Sequence, residues 1–224
     1  MPETTAVLFS AGLDSAVLLA HAAAEAPARA IQPIYVSVGL AWEREELAMA
    51  GRVFASGAFD ARILPIQSLH VDMRDVYPPS HWAVRGEAPG VDTPDDDVYI
   101  DGRNVVLLSK AAVFMARSGI ARVLLGTLRC NPFPDASPAF FEAMGRALSI
   151  GLASPIRIEA PFAAMRKSEV IRRGRALKVP LELTMSCMQP DRGLHCGRCS
   201  KCRERRDGFR EAEEADPTSY RVIG

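Results

Sequence analysis

At 224 residues, with 48% hydrophobic and 24% charged side chains, the chain has the make-up of a globular protein, with room for one α/β domain or one domain plus an appendage. Its 27 basic and 27 acidic residues cancel, which excludes an overall field for holding nucleic acid; any such role needs a local patch. No apolar run approaches the ~20 residues needed to cross a bilayer, and Met1-Pro2-Glu3-Thr4-Thr5 lacks a basic n-region. No targeting segment or membrane contact is therefore expected, and the chain is placed in the cytoplasm.

Thr5-Ala6-Val7-Leu8-Phe9 reads as a buried strand, followed after Ser10 to Ser15 by a helix through Ala16-Val17-Leu18-Leu19-Ala20. Ile34 to Val38 is the next strand, Glu43 to Phe54 a helix, and Arg62-Ile63-Leu64-Pro65-Ile66 a third strand. Residues 77–98 hold Pro78, Pro79, Pro89, Gly90 and Pro94, the composition of a long loop of the kind that serves as a lid or stays disordered. Asn104 is the expected N-cap of a helix with Val105, Leu108, Ala112 and Met115 on one face. Arg122 to Gly126 is a fourth strand, and Ser137-Pro138 opens a helix lined by Phe140, Met144, Ala147 and Leu148. Ile156 to Ala160 is a fifth strand, Lys167 to Leu177 a helix, and Cys202 to Ala215 a charged terminal helix. Strand–helix alternation of this kind predicts a doubly wound, mostly parallel five-stranded α/β sheet with helices on both faces. Residues 1–180 would form that domain and 181–224 a cysteine-rich segment.

Ser10-Ala11-Gly12-Leu13-Asp14-Ser15 lies between a strand and a helix, where backbone N–H groups and the positive helix end can hold a phosphate. Gly12 permits close approach, and Ser10 and Ser15 add hydroxyls. Asp14 would repel phosphate unless a cation intervenes, which points to magnesium. The competing reading is a polar turn in which Asp14 or Ser10 caps the helix.

Four of the five cysteines, Cys187, Cys196, Cys199 and Cys202, are separated by eight, two and two residues, while Cys130 stands apart. Clustering of this kind in a cytoplasmic chain signals a metal rather than disulfides. Four thiolates suit a tetrahedral structural zinc, which contributes ~10–16 kcal/mol to folding. A redox Cys196/Cys199 pair leaves two cysteines unexplained; an iron–sulfur cluster could use all four; His195 could replace one ligand.

The loop Ser10 to Ser15 resembles the Ser-Gly-Gly-x-Asp-Ser loop of the ATP-pyrophosphatase superfamily, with Ala11 in place of a glycine. Within that superfamily the chain resembles the 7-cyano-7-deazaguanine synthases. Tyr99-Ile100-Asp101-Gly102-Arg103-Asn104 is similar to their Tyr-Val-Pro-x-Arg-Asn, with Asp101 for proline. Phe133-Pro134-Asp135 and Pro138 match Tyr-Pro-Asp-x-x-Pro, Lys167-Ser168-Glu169-Val170-Ile171 matches Lys-x-Glu-Ile, and Ser186 through Arg205 matches the zinc segment. Two stretches depart: Gly39-Leu40-Ala41-Trp42-Glu43 stands where the family has Gly-Gln-x-His, and Arg129-Cys130-Asn131-Pro132 is unlike its usual run.

The resemblance implies an ATP-dependent carbon–nitrogen ligase of queuosine biosynthesis, a homodimer, that adenylates 7-carboxy-7-deazaguanine, admits ammonia to form the amide, and dehydrates it to the nitrile. Carried over residue by residue, Phe9, Ser10, Ala11, Gly12, Leu13, Asp14 and Ser15 would bind ATP and pyrophosphate, with Asp14, Ser15 and Lys167 catalytic. Arg103, Asn104, Phe133 and Asp135 would hold the substrate. A relative acting on another carboxylate or acceptor, or a tRNA-modifying enzyme, is the alternative. Arg192, Arg198, Lys201, Arg203, Arg205 and Arg206, with Arg166, Lys167, Arg172, Arg173 and Arg175, would supply a basic face for tRNA. An acidic Glu43 beside the substrate would repel an anion unless turned away.

Overall fold

The computed structural model describes residues 3–129 and 131–222, without the side chain of Asp95. Met1, Pro2 and Cys130, on which two of the readings above fall, lie outside the described residues. Five parallel strands, β1 (Thr4–Leu8), β2 (Ala30–Ser37), β3 (Gln67–His70), β4 (Arg122–Leu124) and β5 (Arg157–Glu159), form one sheet in the order β3-β2-β1-β4-β5. Seven α-helices connect and flank them: α1 (Leu13–Glu25), α2 (Glu43–Ala55), α3 (Trp82–Arg85), α4 (Arg103–Ser118), α5 (Pro138–Leu152), α6 (Lys167–Ala176) and α7 (Ser200–Ala212). The order reverses direction after β3, so right-handed crossovers put α1 and α2 on one face and α4 and α5 on the other. That is the doubly wound sheet expected from the sequence.

The central strand β1 ends in an apolar run because both faces are covered there: Ala6 and Val7 are fully buried, as are Val17, Leu18 and Leu19 of α1 and Ile31 and Ile34 of β2. Helix α6 lies against α1 with Gly174 at the crossing, where a Cβ would stand 2.7 Å from Val17 Cγ2. Helix α7 in turn packs on α6, and Gly208 leaves room for the stem of Lys167. No helix among the described residues is long and apolar enough to cross a membrane.

Four details differ from expectation. The third strand begins at Gln67: Ile63 makes only an isolated bridge to Ile31, and Pro65 has no N–H for a ladder, its carbonyl accepting instead from Gln32 Nε2 at 2.9 Å. Helix α4 starts two residues earlier than an Asn104 cap implies, at Arg103, with Gly102 (φ 68°) at its N-cap, and buries Leu108, Ala111, Ala112 and Met115 while Val105 faces outward. Helix α5 buries Phe141 and Gly145, with Phe140, Met144 and Leu148 only partly covered and Ala147 exposed. Gly145 sets this rotation by meeting β5 closely: a Cβ there would lie 3.1 Å from the Ile156 carbonyl oxygen. The 77–98 stretch is structured, holding α3, a 3-10 turn at Asp95–Val98 and a bridge from Gly90 to Cys199.

Candidate active site and metal centre

Ligands of open parallel sheets bind beyond the carboxyl ends of the strands where the order reverses. Here that point lies between β1 and β4, and a cavity of about 320 Å³ opens there. One group of lining residues comes from the β1–α1 loop, the segment after β4, α6 and α7: Ser10, Gly12, Asp14, Ser15, Lys167 and Glu204. A second comes from β2, α2, α3 and α4: Tyr35, Trp42, Glu46, Trp82, Arg103 and Asn104.

The loop is held by its own hydroxyls. Ser15 Oγ donates to the Gly12 carbonyl at 3.0 Å and accepts from Ser10 N at 3.3 Å. Gly12, not Asp14 or Ser10, is the N-cap of α1, and no side chain caps that helix. Its first-turn N–H groups and the positive helix end are therefore directed at the cavity without an internal acceptor. Gly126 completes the cradle, since a Cβ there would press on Asp14 at 3.3 Å.

Ala11 is left-handed, with φ 57°, so the alanine stands where a glycine would be unstrained. It is fully buried and does not line the cavity; its carbonyl accepts from Met185 N at 2.8 Å, tying the loop to the segment that leads into the cysteines.

Lys167 sits between two carboxylates, 2.5 Å from Asp14 Oδ2 and 2.9 Å from Glu204 Oε1. Burial alone would lower its pKa, but Asp14 and Glu204 outweigh it and hold the ammonium above the ordinary lysine range. Burial likewise works to raise Glu204, and Lys167 with Lys201 (2.8 Å) overrides it, keeping this carboxylate well below its usual range. Asp14 Oδ1 is buried without a hydrogen-bond partner. A carboxylate oxygen in that condition, at the end of a cavity lined by the start of α1, fits a magnesium ion.

At the other wall, Asp135 accepts from Asn104 N at 2.8 Å on Oδ2 and from Asn104 Nδ2 at 3.3 Å on Oδ1, so it anchors the first turn of α4. Burial raises its pKa, against the hydrogen bonds of Asn104 and the charge of Arg103. Phe133 leans on Tyr99 with ring centroids 5.2 Å apart. Arg103 lines the cavity with its Nε buried and unpartnered. Glu43 is turned away from the cavity: its carboxylate accepts from Ser37 Oγ (2.6 Å), Val38 N (2.8 Å) and Gly39 N (3.2 Å), fixing α2 to the end of β2.

Of the residues expected at the site, Phe9, Ser10, Gly12, Leu13, Asp14, Ser15, Lys167, Arg103, Asn104, Phe133 and Asp135 all line this one cavity; Ala11 supports it from behind. The sequence reading missed Tyr35, Glu46, Trp82 and Glu204, and it took Lys201 for part of a basic face. Glu46 carries a legible signal: it falls on the inward stripe of α2 with Met49, Ala50 and Val53, where an acid is out of place.

Beside the cavity, Cys187, Cys196, Cys199 and Cys202 are buried, and their sulfurs all lie within 4.8 Å of one another. Pairs stand 3.9, 3.9 and 3.5 Å apart, close to the roughly 3.8 Å edge of a tetrahedron of sulfurs about 2.3 Å from one ion. A cubane cluster binds each thiolate to a different iron and needs a wider cage, so the convergence fits a single ion. Backbone N–H groups of Gln189, Cys196 and Arg198 point at Cys187 and Cys196 sulfurs at 3.2 to 3.3 Å, the outer hydrogen bonds that thiolate ligands require. His195 is not a ligand: its Nε2 accepts from Ser186 N at 3.1 Å, and burial beside Arg205 pushes its pKa down to about 3, keeping it neutral.

Much of the expected basic face is consumed internally. Arg205 is buried, donating to Thr218, Thr184, Ser186 and the Leu181 carbonyl. Arg173 pairs with Glu25, Arg175 with Glu214, Arg206 donates to the Gly197 carbonyl, and Lys167 lies in the ion group above.

Comparison with known proteins bears on the fold and the family. The fold is similar to that of the U34-tRNA thiolase NcsA from Methanococcus maripaludis, solved with its [4Fe-4S] cluster, at a TM-score of 0.51 and 13% identity over 100% of this chain and 76% of that one. In sequence the chain is 33% identical to the 7-cyano-7-deazaguanine synthase of Anaeromyxobacter dehalogenans, covering 96% of this chain and 94% of that one. It is 36% identical to the synthase of Methanothrix thermoacetophila, covering 95% and 96%. The model of the family described as queuosine biosynthesis protein QueC matches residues 4–213, and the chain belongs to that family.

Proposed function

We propose that this chain is an ATP-dependent ligase that converts 7-carboxy-7-deazaguanine to 7-cyano-7-deazaguanine. The observation that carries the reading is that an uncapped helix N-terminus and the Lys167–Asp14–Glu204 group open into the same cavity as the Arg103 wall. The first is built for a polyphosphate and the second for a small anionic ring.

A carboxylate is a poor electrophile, and transfer of AMP to it, with release of pyrophosphate, makes its carbonyl open to ammonia. Ammonia then forms the amide and AMP leaves. A second ATP then transfers AMP to the amide oxygen with release of pyrophosphate, and that oxygen departs as part of AMP while the nitrogen gives up its two protons and the nitrile forms. In this scheme the first-turn amides of α1, with Ser10 and Ser15, hold the departing pyrophosphate. Lys167, kept charged by Asp14 and Glu204, neutralises it. Asp14 Oδ1 would hold magnesium, which shields the phosphates from that carboxylate. Arg103 is suited to the substrate's oxygens, and Asn104, Asp135 and Phe133 shape the wall against which the ring lies. The four thiolates would hold zinc, which supplies no chemistry and fixes the segment that carries Lys201 and Glu204. A tRNA-binding role has less support, because the basic residues that would carry it are mostly engaged within the chain.

The test is turnover of the acid with ammonium and magnesium–ATP, followed by mass spectrometry and pyrophosphate release. Appearance of the amide and then the nitrile is expected. ATP binding without conversion of either acid or amide refutes the substrate.

A further inference from the structure

The cavity holds one carboxylate for which the proposed chemistry has given no use. Glu46 is 7% exposed, lines the cavity, and receives the Tyr35 hydroxyl on Oε2 at 2.9 Å. The other lining carboxylates have charged or capping work: Asp14 and Glu204 face Lys167, and Asp135 accepts from Asn104 on both oxygens. Burial, with the nearby charge of Glu43, lifts Glu46 to about 7 even though the charge of Arg103 and hydrogen bonds from the Tyr35 hydroxyl and the Trp42 side chain act to lower it. An acid on the apolar stripe of α2 is thus kept at a cost to the fold, as groups retained for a ligand are.

Its surroundings describe what that ligand looks like. Trp42, on the first turn below Glu46, stacks with Trp82 at a centroid distance of 5.7 Å and an interplanar angle of 16°, and both rings line the cavity. They offer a flat apolar surface to a planar ring. Arg103 presents a buried Nε with no acceptor. A planar heterocycle with adjacent N–H donors on one edge and oxygen substituents on another satisfies all three features.

We propose that Glu46 is the specificity residue of this site, accepting the ring N–H and exocyclic amine of a guanine-type edge while Arg103 takes the oxygen substituents and the tryptophan pair borders the ring. This rests on the function proposed above and adds a residue to it. The two oxygens of a carboxylate match two parallel donors, whereas a glutamine offers one acceptor and turns an N–H₂ against the second donor.

The probe is 7-cyano-7-deazaguanine added without ATP, compared by calorimetry with its analogue lacking the exocyclic amine. Wild-type protein is expected to prefer the amine-bearing ligand by about tenfold or more. Glu46→Gln is expected to weaken that ligand by about tenfold or more and abolish most of the preference, with magnesium–ATP affinity kept within about twofold. Binding without preference in the wild type, which requires no variant to fold, overturns the role of Glu46 while leaving the function standing. So does a folded Glu46→Gln that keeps both affinity and preference. Wild-type protein that binds ATP but neither deazapurine overturns the function and this role together.

Discussion

Replacing Lys167 by methionine leaves Asp14 and Glu204 without the ammonium that lies 2.5 and 2.9 Å from them. Removing one partner of a buried ion pair costs 3–5 kcal/mol, and since each carboxylate side chain keeps 26% exposure we expect the low end, about 3 kcal/mol at pH 7.5. At roughly 2–4 °C per kcal/mol for a chain of this size, the Tm falls by about 6–12 °C. The pH dependence identifies the cause. In the wild type the folded pKa of Glu204 is depressed, so its contribution is complete above the unfolded value of 4.5 and is lost only as pH falls further; stability is flat in this respect from pH 6 to 8. In the variant, burial of Glu204 is opposed by Lys201 alone and this carboxylate rises, so the folded state binds protons more readily than the unfolded chain. The deficit must therefore shrink on going from pH 8 to pH 6. Urea titrations at three pH values, with metal content checked at each, measure it. A variant within about 1 kcal/mol of wild type at pH 7.5, or a deficit that does not shrink on acidification, refutes the account of this group.

Other outcomes follow from the same structure. Cys199→Ser should remove the metal, which we expect to be one zinc per chain by elemental analysis, and unfold the segment around it; iron with visible absorbance in the wild type would contradict the single-ion reading. Ala11→Gly relieves a left-handed alanine, about 1–2 kcal/mol, and loses a buried methyl, about 0.8, so the Tm should rise by about 1–3 °C with ATP affinity unchanged. Glu46→Gln should be more stable than wild type at pH 8 by roughly 1–3 kcal/mol, because a carboxyl raised to about 7 destabilises the fold as pH climbs from 4.5 through 7. That advantage should fade toward pH 5. Asp135→Ala should cost about 1–2 kcal/mol by freeing the start of α4, in addition to any rise in KM, which separates its anchoring from the substrate role proposed for it.

The parallel strands with their intervening helices, the loop from Ser10 to Ser15 and the cysteine cluster were legible because each rests on a local pattern: apolar runs, a glycine turn between strand and helix, consecutive Cys-x-x-Cys units. What stayed hidden depends on pairing across the fold. Nothing near Gln67 marks it as the start of β3, because register with β2 decides it. The left-handed conformation of Ala11 is imposed by its neighbours, and an alanine gives no notice of it. Lys201 and Glu204 looked like part of a charged helix surface; only the packing of α7 on α6 turns them toward Lys167. Arg205 read as basic surface and is a buried hydrogen-bonding hub, since Thr184, Ser186, Thr218 and the Leu181 carbonyl converge on it from separate segments.

Helix α7 begins beside Cys199 and contains Cys202, and within its first two turns it also carries Lys201 and Glu204 to the cavity wall beside Lys167. The loop itself is bonded through the Ala11 carbonyl to Met185, two residues before Cys187. The cysteine cluster and the start of α1 are therefore joined through one stretch of chain. In the function proposed above, whatever free energy an ion contributes to ordering that stretch lowers the cost of holding a polyphosphate there. Linkage makes the exchange reciprocal: a factor gained in phosphate affinity on metal binding must be returned, unchanged, as metal affinity when the nucleotide is bound.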